Sequence, residues 1–161
     1  MPGIGSESSA MSGTNRPRVY FDANAMLEMI EKPGPVSDLL SSFWGGGEPP
    51  RDTIVTSELT LAEVLVRPIA ENNIRRWGMY EGLVQNTKGL VVYPADREVM
   101  IEAEKLRARR QCSKLPDAIL LASALLTSCV AMVTDDRRIK SSPDLAIVNF
   151  DVPSLTRLLT E

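Results

Sequence analysis

From Arg18 onward, short β-branched or aromatic runs alternate with longer stretches in which apolar residues recur at helical spacing. Parallel strands need long crossovers, usually helical, to bring the chain back to the same sheet edge, so the alternation predicts an α/β domain with a mostly parallel sheet. The candidate strands are Arg18 to Phe21, Thr53 to Thr56, Leu90 to Tyr93, Val130 to Val133 and Ala146 to Phe150. Helices are expected around Ala25 to Glu31 and Val36 to Trp44, parted by Pro33-Gly34-Pro35, with a loop forced at Gly45-Gly46-Gly47-Glu48-Pro49-Pro50. Ser57 or Thr56 is placed to cap the helix that carries Glu63.

A long helical region is predicted from Pro68 to about Asn86, with Ile74, Trp77, Tyr80 and Val84 at near-helical spacing. Gly78 and Gly82 each weaken it by roughly 1 kcal/mol relative to Ala. Another helix, from Ala95 to about Arg110, sets Val99, Ala103 and Leu106 on one face and Glu102, Lys105 and Arg109 on the other. The longest apolar run, Ala118 to Leu126, is interrupted by Ser123 and far shorter than the roughly 20 residues of a membrane-spanning helix. It reads as a buried helix.

The length of 161 residues and a hydrophobic fraction of 43% suit one domain, assigned to residues 18–161. Residues 1–17 are rich in Gly, Ser and Pro, lack the apolar core of a secretory signal, and are expected to form a disordered leader. Two cysteines, Cys112 and Cys129, have no CxxC partner and suggest neither a zinc knuckle nor a disulfide framework, which fits a reducing cytoplasm. The net charge of −3 gives no support for nucleic-acid binding through a broadly basic surface, so local clusters must carry any such binding.

Four acids adjoin apolar stretches: Asp22 in Val19-Tyr20-Phe21-Asp22, Glu63 in Leu61-Ala62-Glu63, Asp117 after Leu115-Pro116, and Asp136 in Val133-Thr134-Asp135-Asp136. Carboxylates gathered at the rim of a low-dielectric core repel one another, and a bound cation relieves the repulsion. Singly, each has a plainer reading: Asp117 as a first-turn acid favoured by the helix dipole, Glu63 as part of a solvated face, Asp22 as a cap, and Asp135-Asp136 as a turn. Their joint placement at strand and helix ends favours one cleft outside the carboxyl edge of the sheet. A helical wheel leaves Glu63 on a narrow polar stripe with Thr60 and Arg67, flanked by Leu59, Val64 and Val66, so its carboxylate is expected to be partly shielded.

The blocks Phe21-Asp22-Ala23-Asn24, Leu61-Ala62-Glu63-Val64, Pro116-Asp117-Ala118-Ile119 and Val133-Thr134-Asp135-Asp136, in that order, resemble those of PIN-domain ribonucleases, most of all the VapC-like toxins. The resemblance spans nearly everything from Arg18 to Phe150. It implies a three-layer α/β/α sandwich whose acidic pocket holds Mg²⁺ or Mn²⁺ and cleaves RNA. Carried over, the family's acids match Asp22, Glu63, Asp117 and, in a Thr-x-Asp pattern, Asp136, with Asp135 the second choice there. Asn24 and Ser57 match supporting polar positions. The resemblance also implies a small antitoxin partner and a homodimer.

Hard carboxylate oxygens suit Mg²⁺ or Mn²⁺, and a chain without histidine has no softer cluster to offer zinc. Positive charge gathers at Arg107-Ala108-Arg109-Arg110 with Lys114, and at Arg137-Arg138 with Lys140. Arg109, Arg110, Lys114, Arg137 and Arg138 are therefore the candidate RNA phosphate contacts, against a plainer reading as a helix C-terminal complement and a solvated loop. Trp44, Trp77 and Tyr80 are assigned to packing, with an oligomer or antitoxin surface the alternative for the last two. The rival functions are a catalytically inactive PIN-like module binding RNA or protein and a phosphate-handling α/β domain. The latter lacks a lysine placed after a strand, and no GxGxxG arrangement supports a dinucleotide site.

Overall fold

A computed structural model describes residues 17–45, 54–87 and 89–160. Five strands form one all-parallel sheet: β1 (Arg18–Phe21), β2 (Ile54–Ser57), β3 (Leu90–Tyr93), β4 (Cys129–Val133) and β5 (Ala146–Val148). The helices are α1 (Ala23–Glu31), α2 (Pro35–Gly45), α3 (Glu58–Ala70), α4 (Ile74–Leu83), α5 (Arg97–Ala108), α6 (Leu115–Leu126) and α7 (Val152–Thr160). The spatial order is β3-β2-β1-β4-β5. Successive strands run outward from β1 on one side and then resume beyond it, so the order reverses between β1 and β4. Open α/β sheets bind ligands at such a reversal, outside the carboxyl ends of the strands.

Alternation along the strands sends side chains to two faces, each covered by helices. Val19 and Phe21 of β1, Ile54 of β2 and Val133 of β4 join one core with Met26, Leu40, Val64, Tyr80 and Leu155. Tyr20, Val55 and Met132 point the other way, into a core with Val99, Ala103, Leu106 and the apolar residues of α6. The result is the expected α/β/α sandwich. Sequence Ala118 to Ala124 is buried throughout, because α6 packs between the sheet and α5. Among the described residues no helix is long and apolar enough to cross a membrane.

Three expectations change. The helical region expected from Pro68 to Asn86 is two helices: α3 continues through the buried Pro68 to Ala70, and the chain then turns. Asn72 takes a left-handed conformation (φ 51°) and Asn73 caps α4 by accepting from the Arg76 N–H at 3.0 Å. Both are conformations that asparagine tolerates better than most residues. The turn leaves Ile74 72% and Trp77 40% exposed while Tyr80 is buried, so Trp77 is not a core residue. The fifth strand stops at Val148 rather than Phe150, and α7 follows, with Leu155 as its buried anchor. The expected leader, the Gly46 to Pro50 loop and the packing of the Trp44 side chain lie outside the described residues.

Candidate active site

Asp22 immediately follows β1 at the order reversal and caps α1. Its Oδ1 accepts the Ala25 N–H at 2.8 Å, and its Oδ2 accepts the hydroxyl of Thr134, the first residue beyond β4. Asp22 is only 4% exposed. Burial, reinforced by the charges of Asp135 and Glu63 and only partly offset by those two hydrogen bonds, raises its carboxyl to about 6. A raised carboxyl in an enclosed setting is the electrostatic mark of a position short of positive charge.

Simple chain geometry brings the other acids to the same edge of the sheet. Serine 57 ends β2 and starts α3, so Glu63 rises from the same edge of the sheet. Helix α6 ends three residues before β4 begins, at the amino edge, which places its N-terminus and Asp117 at the carboxyl edge. Desolvation first, and then the charge of Asp117, raises the Glu63 carboxyl. Thus Asp22 senses Asp135 and Glu63, and Glu63 senses Asp117.

Glu63 is an exposed residue whose carboxylate is nonetheless partly desolvated, in keeping with the partial shielding the helical wheel suggests. The stripe splits: Thr60, a turn earlier, is wholly buried, while Glu63 and Arg67 are exposed.

The Asp135-Asp136 pair divides its tasks. Asp135 accepts from the Asn24 side-chain amide at 2.9 Å and is the member of the pair that contributes to the field on Asp22. Asp136 is gripped by Arg138 through two side-chain bonds, at 2.9 and 2.6 Å, and its own N–H donates to the Thr134 hydroxyl oxygen at 3.0 Å. The Arg138 bonds, the side-chain contact above all, hold the Asp136 carboxyl down at about 2. Thr134 therefore joins the two halves of the site, a role that its place in the Thr-x-Asp pattern hints at.

Ser57 occupies the cap position of α3 without using its side chain as a cap. Its hydroxyl instead accepts from Tyr20 at 2.9 Å, in the buried layer between β1 and β2. Burial raises the Tyr20 phenol above its ordinary value, so it stays a neutral donor. Periodicity marks Tyr20 only as apolar, so its pairing with Ser57 goes undetected in the sequence.

Among the basic residues, Arg109 caps α5 and Arg110 follows in a left-handed conformation. Lys114 stands at the start of α6 and contributes to the field on Asp136. Arg109, Arg110, Lys114 and Arg137 are exposed, whereas the Arg138 guanidinium is engaged by Asp136.

The donor set fits a hard divalent ion in its chemistry, since all its groups are carboxylates and, among the described residues, no cation offsets the charge of the enclosed Asp22. Its spacing is open: among the described residues, no group of three Asp, Glu or Cys side chains is placed to hold one ion.

Comparison with known proteins places the fold. The PIN domain family model matches residues 19–145, which include all four acids. No curated protein matches the chain. Among solved structures, DNA-bound VapBC from Salmonella typhimurium is similar at 17% identity, covering 84% of this chain and 99% of that one, with a TM-score of 0.63. A toxin-antitoxin complex from Klebsiella pneumoniae matches at 21% identity over 80% and 95% of the two chains, with a TM-score of 0.58. A Mycobacterium tuberculosis protein described as a Sarcin-Ricin loop cleaving toxin matches at 12% over 78% and 92%, with a TM-score of 0.53. With the family model spanning the sheet from β1 to β4 and these structures sharing its fold, the chain belongs to the PIN domain family and has a VapC-like fold.

Proposed function

We propose that this protein is a metal-dependent endoribonuclease that hydrolyses RNA phosphodiester bonds and serves as the toxin of a toxin-antitoxin pair. The observation that carries the reading is Asp22: a carboxylate enclosed at the order reversal of the sheet, clamped by Thr134 and raised by burial and neighbouring acids. An uncompensated charge of that kind is costly in a purely structural role.

Asp22, Glu63, Asp117 and Asp136 are the residues that would hold Mg²⁺ or Mn²⁺, which supplies charge neutralisation at the phosphate and a more acidic water. Asp22 and Asp117 would be the principal holders, one fixed by Thr134 and the Ala25 N–H, the other in the first turn of α6. Glu63, with its raised carboxyl, is suited to position the attacking water. Asn24 orients Asp135, and Ser57 works indirectly, holding Tyr20 beneath the site.

Exposed Arg109, Arg110, Lys114 and Arg137 flank the acids and would bind phosphates on either side of the scissile bond. The antitoxin assignment rests on the shared fold with toxin-antitoxin complexes, and a homodimer on the family resemblance alone.

One observation favours the inactive-module alternative: among the described residues, no three carboxylates converge on a point. A mixed RNA pool incubated with Mg²⁺ or Mn²⁺, with EDTA as control, separates the readings. Cleavage that EDTA abolishes supports the nuclease. RNA binding without cleavage in either ion favours the inactive module.

A further inference from the structure

Arg138 lies two residues beyond Asp136, and its guanidinium folds back over that carboxylate. Nε donates to Oδ1 at 2.9 Å, Nη2 donates to Oδ2 at 2.6 Å, and the Arg138 backbone N–H adds a bond to Oδ1 at 3.0 Å. Both oxygens are thus taken by a planar, two-pronged cation, the arrangement in which arginine binds a carboxylate best. The guanidinium also lies in the field of Asp117, so its charge is shared with a second acid of the site. Arg137, exposed next to it, makes no hydrogen bond or ion pair among the described residues. The contact therefore belongs to Arg138 and is not a general property of a basic loop.

We propose that Arg138 is an internal counter-ion of the acidic site, occupying Asp136 and competing with a divalent cation for its carboxylate. The inference rests on the metal-dependent reading and deepens it. Competition requires a contact that is specific yet displaceable. The two-pronged geometry supplies the specificity. Displacement is open because the Arg138 side chain is 62% exposed and water can take over its donors, whereas the Asp136 side chain is 18% exposed and stays at the site. The same contact engages both Asp136 carboxylate oxygens with its own arginine.

The test is Mn²⁺ affinity of the full chain, measured by calorimetry or by the paramagnetic resonance signal of free Mn²⁺. Arg138→Gln removes the guanidinium at an exposed position, and circular dichroism checks that it folds. Arg137→Gln removes the same charge one residue away without freeing Asp136. Affinity is expected to tighten on the order of tenfold for Arg138→Gln and about twofold for Arg137→Gln, the difference being the released carboxylate. Adding Asp136→Asn to Arg138→Gln should abolish the excess.

Equal gains for the two arginine variants, a gain that survives Asp136→Asn, or weaker binding by Arg138→Gln would each overturn the counter-ion role. Any of these can occur while wild-type protein binds Mn²⁺, which leaves the nuclease reading standing. Absence of Mn²⁺ binding by wild type and variants alike removes both.

Discussion

The hydroxyl of Thr134 donates to the carboxylate of Asp22 across 112 positions of chain, fastening the end of β4 to the end of β1 where the strand order reverses. That hydroxyl oxygen also accepts the N–H of Asp136, so one side chain sets both the orientation of Asp22 and the path of the acidic loop.

Replacing Thr134 by Val keeps the volume and removes both bonds. It leaves a buried carboxylate oxygen and a backbone N–H short of partners, a loss of about 1–3 kcal/mol. Urea denaturation should show that loss, and RNA cleavage should fall at least tenfold, with both restored largely by Thr134→Ser. A valine variant as stable and active as wild type would show that the hydroxyl is not needed.

Stability should depend on pH through Asp22. Its carboxyl titrates near 6 in the fold against 3.8 as the ordinary value, because burial and then Asp135 and Glu63 disfavour the charged form. A raised native value means that the folded protein holds the proton more tightly than the unfolded chain. This contribution is complete below about pH 4 and is lost as the pH rises through about 6, on the order of 2–3 kcal/mol. Glu63 acts with the same sign, while Asp136 and Asp151, whose carboxyls are lowered, act oppositely at lower pH. Urea midpoints in EDTA should therefore fall between pH 4.5 and 7.5, and less so for Asp22→Asn. A midpoint that rises over this interval contradicts the burial of the charge.

Arg110 ends α5 at φ 58°, a left-handed conformation that glycine adopts without penalty. Arg110→Gly should raise stability by up to about 1 kcal/mol in a thermal melt. The same variant should weaken RNA binding and lower its salt slope by about 1, if the side chain meets a phosphate. Unchanged RNA affinity would remove Arg110 from the interface.

Tyr80, buried in α4, donates its hydroxyl to Glu31 at the end of α1, and Arg76 lies 4.0 Å from the same carboxylate. Tyr80→Phe should cost about 1–3 kcal/mol in chemical denaturation, since the carboxylate loses a donor, and should leave RNA cleavage per folded molecule unchanged. A cleavage defect without a stability loss would tie this contact to the site.

The sequence carries the layered architecture openly, because each strand is a compact run rich in apolar residues and helix α6 is apolar from Ala118 to Ala124 apart from Ser123, and buried throughout that stretch. The acids are equally legible, since each stands at the border between an apolar run and a polar one. What stays hidden depends on which strands are neighbours. Thr134 meets Asp22 only because β4 lies beside β1, and Tyr20 meets Ser57 only because β2 lies on the other side. No local period encodes that order. The break at Asn72-Asn73 is hidden for a different reason: Pro68, the stronger local signal, sits inside α3 while two asparagines make the turn. Arg138 reads as one more surface cation until its side chain is seen closing on Asp136.

The most direct measurement is RNA cleavage in Mn²⁺ by purified, folded Asp22→Asn protein beside wild type. Asparagine keeps the shape of the side chain and removes its charge, so the account predicts that wild-type cleavage is lost while circular dichroism shows the fold intact. Undiminished cleavage by the variant would contradict the assignment of these acids as the metal-holding site.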